Sequence, residues 1–369
     1  MNGGARLRDD LIGVMGAGVA TPLPDADFDD LARRVSEHQW ERNPVFARFC
    51  EGRGIQPGSW SSWRALPPVP ARAFRERGLV SRGPAEAIFR TSGTTGGAAA
   101  RGEHRVPDLS LYHASLLPNF AAHLLPDGAR LPMISLIPSP LEVPDSSLSH
   151  MIGIVAAELA PDTRYFVDKD GRLDERGLGS ALRDAEGARD PVLVAGTAFA
   201  FVHLLDALAA EGTRFRLPNG SRVMETGGFK GRTRTVPREE LYQAIHDRLG
   251  IPPRRIVNEY GMTELLSQFY EPVLAGGARL HRPPPWVRTR VLDPATLEPL
   301  PPGREGLLCH FDLANLGSVC CLLTEDLGVA PPEAEGRGFR VLGRNPGAEP
   351  RGCSLAMDDL VTAVPDLAR

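Results

Sequence analysis

Hydroxyl and glycine residues are concentrated in one short segment near residue 90. Thr91-Ser92-Gly93-Thr94-Thr95-Gly96 follows the apolar pair Ile88-Phe89. Glycines let the backbone approach an anion closely, while hydroxyls and successive amide N–H groups donate hydrogen bonds to it. The segment lacks the Gly-Lys-Ser/Thr of a Walker loop and the Gly-x-Gly-x-x-Gly of a dinucleotide turn. It predicts a loop that binds the phosphates of a nucleoside triphosphate, and the alternative is an ordinary polar surface loop.

A second segment contains a residue that could bind a metal ion. Ile256 and Val257 begin a run that ends in Tyr260-Gly261-Met262-Thr263-Glu264, a pattern that predicts a strand, a glycine turn and the start of a helix. Mg2+ bound to phosphates usually takes only one or two protein carboxylates, which makes Glu264 the candidate ligand. The alternative is a carboxylate stabilised by the dipole at a helix N-terminus.

The two segments together resemble the adenylate-forming (ANL) superfamily. Its members bind the triphosphate with Thr-Ser-Gly-Thr-Thr-Gly, and adenylate and magnesium with Tyr-Gly-x-Thr-Glu. The two segments are separated by well over a hundred residues, which also fits the pattern of this superfamily. The resemblance implies ATP and Mg2+ as cofactors. It assigns nucleotide binding to Thr91, Ser92, Gly93, Thr94, Thr95, Gly96, Tyr260, Gly261, Met262 and Thr263.

Further nucleotide contacts follow from the same resemblance. Gly227-Gly228 is similar to the glycine pair against which these enzymes place the adenine. Tyr260 is similar to the aromatic residue whose ring stacks on the adenine. Asp326 corresponds to the aspartate that binds the ribose hydroxyls. Glu325 stands where the superfamily has glycine and is the alternative ribose ligand, and a plain turn is the other interpretation of Asp326. Gly343-Arg344 resembles the hinge before the C-terminal domain, where the arginine often also meets ribose or phosphate.

Fewer than thirty residues follow Arg344, so we expect the usual C-terminal domain to be reduced to a short segment. A narrower resemblance, to the LuxE-type acyl-protein synthetases, fits this length. The residues that carry it are Asn258 to Tyr270, Asp312-Leu313-Ala314-Asn315, Thr324 to Gly328, Gly343-Arg344 and Arg351-Gly352-Cys353-Ser354-Leu355. In that family a cysteine near the C-terminus takes the acyl group from an acyl adenylate before it passes to a partner reductase.

Cys353 lies where that cysteine would be and is the candidate catalytic nucleophile. Attack of a thiolate on an acyl adenylate expels AMP and leaves an activated thioester. Arg351 could favour the thiolate. The alternative is a half-buried cysteine without chemistry. Purely structural roles are predicted for the other cysteines, which are Cys50, Cys309, Cys320 and Cys321.

Three further residues complete the candidates. Lys230 follows the glycine pair closely and could act as a catalytic cation toward a phosphate or carboxylate, or be a solvated lysine. His150, in a predicted polar turn, could line the substrate pocket or cap a helix. Gly196 lies at the end of a predicted strand and is a candidate substrate-binding residue. His104 and His113 flank the start of the helix after the phosphate loop, and structural roles are predicted for both.

Strands and helices alternate around these residues. Strand patterns lie at 131–137, 191–197 and 221–226, and helical patterns at 27–52, with Asp25 or Asp27 as N-cap, at 109–125 and at 199–210. Such alternation predicts an α/β domain with mostly parallel strands, in which ligands bind beyond the carboxyl ends of the strands. Gly196, Gly227 and Tyr260 all lie at predicted strand ends.

We predict four regions in the chain. They are a helical N-terminal region at 1–80, an α/β adenylate-forming core at 81–275, a β-rich lobe at 276–342 with strands at 286–292 and 305–312, and a short C-terminal segment at 343–369.

Bulk properties exclude several classes of function. The chain has 369 residues, is 42% hydrophobic and can bury a large core. A net charge of −4, from 42 basic and 46 acidic residues, gives no global signal for nucleic acid or an anionic membrane. Five cysteines without a Cys-x-x-Cys pair, and no apolar stretch of about 20 residues, predict a cytoplasmic protein that is not inserted in a membrane.

The sequence therefore predicts an ATP- and Mg2+-dependent, AMP-forming ligase that activates a carboxylic acid, as a fatty acid is activated in the resembled family. The acceptor would be Cys353, an acyl-acceptor protein such as a reductase or carrier protein, or a small thiol or amine. The alternatives are an acyl- or aryl-CoA ligase, a ligase that transfers the adenylate to an amine, and a non-catalytic subunit that binds nucleotide and acyl chain.

Overall fold

A computed structural model of the chain describes residues 3–75, 79–81, 83–91, 101–227 and 236–344. Two compact units are present, and each combines separate stretches of the chain. The first unit contains the described residues up to Asn119, the segment Met262–Gln268 and the described residues from Arg282 onward. The second contains the described residues of Phe120–Gly261 together with Phe269–His281. The predicted division at residues 80, 275 and 342 stays a prediction.

Within the described residues, the helices are α1 (Gly3–Gly16), α2 (Asp25–Arg42), α3 (Pro44–Glu51), α4 (Ser110–Leu124), α5 (Ser147–Glu158), α6 (Glu175–Ala188), α7 (Ala198–Ala210) and α8 (Arg238–Leu249). The strands are β1 (Val69–Pro70), β2 (Ala87–Arg90), β3 (Glu103–Val106), β4 (Met133–Leu136), β5 (Thr163–Tyr165), β6 (Leu193–Thr197), β7 (Arg222–Thr226), β8 (Ile256–Tyr260), β9 (Phe269–Tyr270), β10 (Val287–Leu292), β11 (Glu305–Asp312), β12 (Cys321–Val329) and β13 (Arg340–Arg344).

Helices α2 and α3 confirm the predicted helical region at 27–52. The apolar face of α2 is buried at Phe28, Leu31 and Val35, at the spacing of one helical face. The prediction of Asp25 or Asp27 as N-cap is wrong, since Pro24 precedes the helix and Asp25 and Asp27 lie in its first turn. Carboxylates there still stabilise the helix through its dipole.

The first unit is built on a five-stranded sheet with the order β1-β12-β11-β10, in which β13 also pairs with β12. Only β1 runs parallel to its neighbour, and the remaining pairs are antiparallel. The predicted strands at 286–292 and 305–312 are confirmed as β10 and β11. Cys50, Cys309, Cys320 and Cys321 are all buried, which is consistent with their predicted structural roles. A separate hairpin joins β2 and β3.

The second unit is built on a six-stranded sheet with the order β5-β4-β6-β7-β8-β9. The pairs from β5 to β8 are parallel, and only β9 is antiparallel. The core contains Ile134, Val194, Leu205 and Ile245 among its buried residues. The predicted α/β fold with mostly parallel strands and a β-rich lobe is therefore confirmed.

Two local predictions are wrong. No helix starts after Gly261, because Thr263 and Glu264 form a turn and the chain continues to β9. His150 lies within helix α5 rather than in a polar turn, because Ser146 caps the helix by accepting from the Ser149 amide at 3.1 Å. Among the described residues no helix is both long and apolar enough to cross a membrane.

Candidate active site

The carboxyl ends of β6, β7 and β8 lie side by side in the second unit. Thr197 pairs in register with Thr226, and Thr226 pairs with Glu259. Gly196, Gly227 and Tyr260 therefore lie at the ends of three neighbouring parallel strands. This edge is where open α/β sheets bind their ligands.

The two described glycines at this edge are required for different physical reasons. Gly227 has a φ of +72°, a left-handed conformation that side chains disfavour, and among the described residues other than its chain neighbours no atom lies within 4 Å of where its Cβ would be. Gly196 is buried, and a Cβ there would lie 3.0 Å from both Leu136 Cβ and Phe201 Cε2. Close packing therefore favours glycine at 196, whereas the left-handed backbone favours it at 227.

Tyr260 is half-buried among neighbouring rings of the second unit. Its ring centroid lies 5.7 Å from that of Phe269 and 5.9 Å from that of His281. His281 Nε2 donates to Asn258 Oδ1 at 2.8 Å, because an amide oxygen can only accept. Asn258, two residues before Tyr260, therefore fixes one of the rings that surround it.

Asn258 also connects to a buried carboxyl group on β7. Its Nδ2 donates to Glu225 Oε2 at 2.5 Å, and Tyr242 Oη donates to the same oxygen at 3.2 Å. Burial raises the pKa of Glu225 to about 7, although these hydrogen bonds and the charge of Arg238 act in the opposite direction. Sequence reasoning missed this group. Its only sequence signal is a charged residue inside an apolar strand.

In the first unit, the backbone of Thr263 and Glu264 is held by side chains from distant parts of the chain. His104 Nδ1 donates to the Thr263 carbonyl at 2.7 Å, and Nε2 accepts from Ser318 Oγ at 3.0 Å. Asn315 Nδ2 donates to the Glu264 carbonyl at 2.8 Å. Burial lowers the pKa of His104 to about 4, so the ring is neutral and can donate and accept at once.

Asp312 holds the next residues of the same segment. Its Oδ2 accepts from the Ser267 amide at 2.9 Å and the Leu266 amide at 3.2 Å, and its Oδ1 accepts from Ser267 Oγ at 2.7 Å. The same Oδ1 accepts from the Ala314 amide at 2.9 Å. These bonds satisfy the amides that the expected helix would have used. They explain why the chain leaves the helical path after Glu264.

Glu264 itself is 9% exposed and lies in the turn. Because no helix follows, the alternative of a carboxylate at a helix N-terminus is wrong. The described part of the chain contains no cluster of three or more His, Cys, Asp or Glu side chains arranged for a metal ion. A single carboxylate fits Mg2+ that takes its remaining ligands from phosphates and water.

The predicted ribose-binding pair is brought together on β12 and β13. Asp326 and Arg344 are paired in register, and Arg344 Nε lies 3.6 Å from Asp326 Oδ1. Asp326 lies inside a strand, so the interpretation as a plain turn residue is wrong. Glu325 is its neighbour on β12, and its role as the alternative ribose ligand stays a prediction.

The predicted phosphate loop belongs to the connection between β2 and β3. The Thr91 amide donates to the Gly102 carbonyl at 2.9 Å, and the Gly102 amide donates to Thr91 Oγ1 at 2.9 Å. Arg101 Nε donates to the Thr91 carbonyl at 2.7 Å. These bonds close the base of the hairpin, and Thr91 Oγ1 acts in them only as an acceptor.

Several candidates lie outside the described residues, so their predicted roles are untested. They are Ser92, Gly93, Thr94, Thr95, Gly96, Gly228, Lys230 and Cys353. His150 is described, in the first turn of α5, and its role toward a substrate stays a prediction.

Solved structures define the class of fold. A 2-hydroxyisobutyryl-CoA ligase in complex with its acyl adenylate and CoA is 17% identical with a TM-score of 0.62, over 88% of this chain and 71% of that one. ATP-bound MatB from Rhodopseudomonas palustris is 18% identical with a TM-score of 0.50, over 72% of this chain. The matched part covers 49%, about half, of the MatB chain. The fold is that of the adenylate-forming ligases.

Sequence comparison identifies the family. The family described as "Acyl-protein synthetase, LuxE" matches residues 34–362. The long-chain-fatty-acid–luciferin-component ligase of Vibrio harveyi is 25% identical over 349 residues, covering 91% of this chain and 88% of the relative. The protein of the same name from Aliivibrio fischeri is 24% identical over 345 residues, covering 90% and 88%.

This chain therefore belongs to the LuxE family of acyl-protein synthetases. The predictions of the family and of an AMP-forming ligase are confirmed at this level. Membership also supports the activation of an acid by adenylation. Acyl transfer to Cys353, the identity of the acceptor and a cytoplasmic location stay predictions.

Proposed function

We propose that this chain uses ATP and Mg2+ to convert a fatty acid to its acyl adenylate and then transfers the acyl group to the thiol of Cys353. One observation carries the proposal. The carboxyl edge of β6, β7 and β8 presents Gly227 and Tyr260 on neighbouring parallel strands, where a nucleotide would bind. The names of the two bacterial relatives are the basis for the fatty acid class.

In the first step, a carboxylate oxygen of the acid attacks the α-phosphorus of ATP, and the bond to pyrophosphate breaks. Thr91 and the loop after it bind the leaving phosphates, and Asp326 with Arg344 binds the ribose. Glu264 would hold Mg2+, which would supply neutralisation of the phosphate charge. The His104 and Asn315 hydrogen bonds hold the backbone carbonyls of Thr263 and Glu264, which supports a turn that is already formed before the ligand arrives.

In the second step, the Cys353 thiolate attacks the acyl carbon. The bond from this carbon to the phosphate oxygen breaks and AMP leaves, while the thiol proton passes to solvent. The thioester conserves the activation for a later acceptor. That acceptor would be a partner protein, a small thiol or an amine.

The first step is tested by exchange of labelled pyrophosphate into ATP in the presence of a panel of acids. We expect exchange with long-chain fatty acids, and a rate at least about tenfold lower for Glu264→Gln because a metal ligand is lost. Glu298→Gln, at an exposed position of the same unit, is the matched control and should retain the rate. No exchange with any acid would contradict the proposal.

The second step is tested with radioactive fatty acid and ATP. We expect wild type to become labelled, and Cys353→Ser to retain pyrophosphate exchange without forming a hydroxylamine-sensitive label. Cys50→Ala, at a buried cysteine of α3, should still be labelled. Thioester labelling that persists in Cys353→Ser would exclude Cys353 as the acceptor.

A further inference from the structure

His104 lies on the strand that follows the predicted phosphate loop and contacts the turn that carries Glu264. It pairs with Phe89 across the β2–β3 hairpin, whose base is closed by the hydrogen bonds of Thr91. Its Nδ1 donates to the Thr263 carbonyl at 2.7 Å. All of these residues belong to the first unit. One side chain therefore connects the two segments that the sequence assigns to the nucleotide and its metal.

The His104 ring is held by packing and by a second hydrogen bond. It is 1% exposed, and its centroid lies 5.2 Å from that of the Phe74 ring in an edge-on arrangement. Because a carbonyl can only accept, the ring proton lies on Nδ1, and Nε2 accepts from Ser318 Oγ at 3.0 Å. The Ser318 carbonyl in turn accepts from Asn43 Nδ2 at 3.3 Å. The donor that faces Thr263 is therefore fixed in both tautomer and direction.

Hydrogen bonds hold both peptide groups that flank the Glu264 Cα atom. The first group contains the Thr263 carbonyl, which accepts from His104. The second contains the Glu264 carbonyl, which accepts from Asn315 Nδ2 at 2.8 Å. Because each peptide group is planar, the orientations of the two groups set φ and ψ of Glu264. The two donors therefore determine the direction in which the Glu264 side chain leaves the backbone.

His104 has the more specific effect of these two donors. Asn315 also donates to the Val319 carbonyl at 3.1 Å and accepts from the Leu266 amide at 3.0 Å, so its replacement would disturb several parts of the segment. Within the described residues, His104 hydrogen-bonds to this segment only at the Thr263 carbonyl. Its replacement therefore changes one peptide group next to Glu264.

We propose that His104 is a positioning residue for metal-dependent ATP binding, and that its Nδ1 donor keeps the Glu264 side chain oriented for Mg2+. The inference rests on the proposed function, because it takes Glu264 as the metal ligand. It gives His104 a role beyond the structural one predicted from the sequence. Replacing a residue that orients a metal ligand typically weakens metal binding about 10- to 100-fold. Burial lowers the pKa of His104, so the ring is neutral and adds no charge that would repel a cation.

ATP binding to the full-length chain, measured by calorimetry without any acid, tests this role in the absence of turnover. The Kd for ATP is measured in EDTA and in saturating Mg2+, and the first value is divided by the second. By linkage, a change in this ratio equals the change in the Mg2+ affinity of the enzyme–ATP complex. His104→Gln should lower the ratio by at least about tenfold and leave the Kd in EDTA unchanged.

Hydrogen bonding and packing predict opposite orders for two substitutions at this position. His104→Asn is the smaller replacement, but its amide N–H lies near the Nδ1 position and can still donate to Thr263. His104→Gln fills more of the space, but its amide lies near the Nε2 position. We expect a ratio close to that of wild type in His104→Asn and a low ratio in His104→Gln. Equal losses, or a larger loss in His104→Asn, would show that packing decides and would overturn the proposal.

His310→Gln is the matched control for a general loss of stability. His310 is also fully buried in the first unit, but its Nδ1 is hydrogen-bonded to Thr289 Oγ1 at 2.9 Å rather than to the turn with Glu264. Its replacement should lower the free energy of unfolding in urea, as His104→Gln does, and leave the ATP ratio unchanged. An equal fall of the ratio in both variants would overturn a specific role of His104.

Glu264→Gln, alone and combined with His104→Gln, separates this inference from the proposed function. If His104 acts through Glu264, the double variant should have the same ratio as Glu264→Gln alone. A further fall in the double variant would overturn the positioning role. A fall in Glu264→Gln without one in His104→Gln would overturn the inference and leave the proposed metal ligand intact. An unchanged ratio in both single variants would overturn the metal role of Glu264 together with the inference.

Discussion

Asp312 in the first unit and Glu225 in the second are both buried carboxyl groups near the end of a strand, yet their surroundings differ. Asp312 accepts three backbone amides and one hydroxyl. Glu225 accepts two side-chain donors, Asn258 and Tyr242. The first carboxylate therefore determines the path of the backbone after Glu264, and the second organises side chains next to Tyr260. Burial alone does not reveal which of these roles a carboxyl group has.

The largest effect is expected for Asp312→Ala. The buried amides of Ser267 and Ala314 would lose their acceptor, which should lower the free energy of unfolding by about 4 kcal/mol. Pyrophosphate exchange should fall as well, because the segment after Glu264 is released. Urea unfolding and exchange assays measure both changes.

Asp293→Ala is the matched control for this prediction. Asp293 also follows a strand and accepts amides, from Ala295 at 2.8 Å and from Thr296 at 3.0 Å, but the group is exposed. Its replacement should have a clearly smaller effect because water can replace the lost acceptor. Equal losses of unfolding free energy in the two variants would show that the hydrogen bonds of Asp312 stabilise the protein no more than those of a surface turn.

A somewhat smaller effect is expected in the pH dependence of stability. The pKa of Glu225 is raised in the folded state from 4.5 to about 7, mainly by burial. The contribution of Glu225 to the free energy of unfolding is fully present below pH 4.5. Up to about 3 kcal/mol of this free energy is lost as the pH rises to 7. Asp312, raised from 3.8 to about 6, gives a similar loss at lower pH.

Glu225→Gln should therefore flatten the upper part of this pH dependence, between about pH 5 and 7, and leave the part due to Asp312. Unfolding free energies measured in urea across this range provide the test. Glu298→Gln controls for the removal of one carboxylate at an exposed site. A Glu225→Gln curve parallel to that of wild type would contradict the assignment of this pH dependence to Glu225.

The smallest effect is expected for Tyr242→Phe. It removes one donor to Glu225, at 3.2 Å, and the acceptor of Arg238 Nε, at 3.0 Å, and leaves the Asn258 donor in place. We expect a loss of about 1 kcal/mol in the free energy of unfolding and a further rise in the pKa of Glu225. Ser267→Ala is the matched variant in the first unit, because it removes the hydroxyl that donates to Asp312 as Tyr242→Phe removes the hydroxyl that donates to Glu225. A rise in stability at neutral pH would show that the Tyr242 hydrogen bond does not hold the carboxylate.

Local sequence patterns were sufficient to predict several of the strands. The strand predicted at 305–312 is β11 with the same bounds, and the strands at 191–197 and 221–226 contain β6 and β7. Hydrophobic periodicity encodes such elements directly. The helix expected after Gly261 failed because its amides are taken by Asp312, which lies 45 residues beyond Ser267.

The sequence by itself determined the chemistry that this chain is suited to: the hydroxyl- and glycine-rich loop from Thr91, the Tyr260 to Glu264 motif, and a resemblance that the family match confirmed. The tertiary structure decided which side chains hold these motifs. His104 reaches Thr263 across 159 residues of chain. Hydrogen bonds and burial between residues so far apart depend on the packing of whole elements, which no local pattern contains.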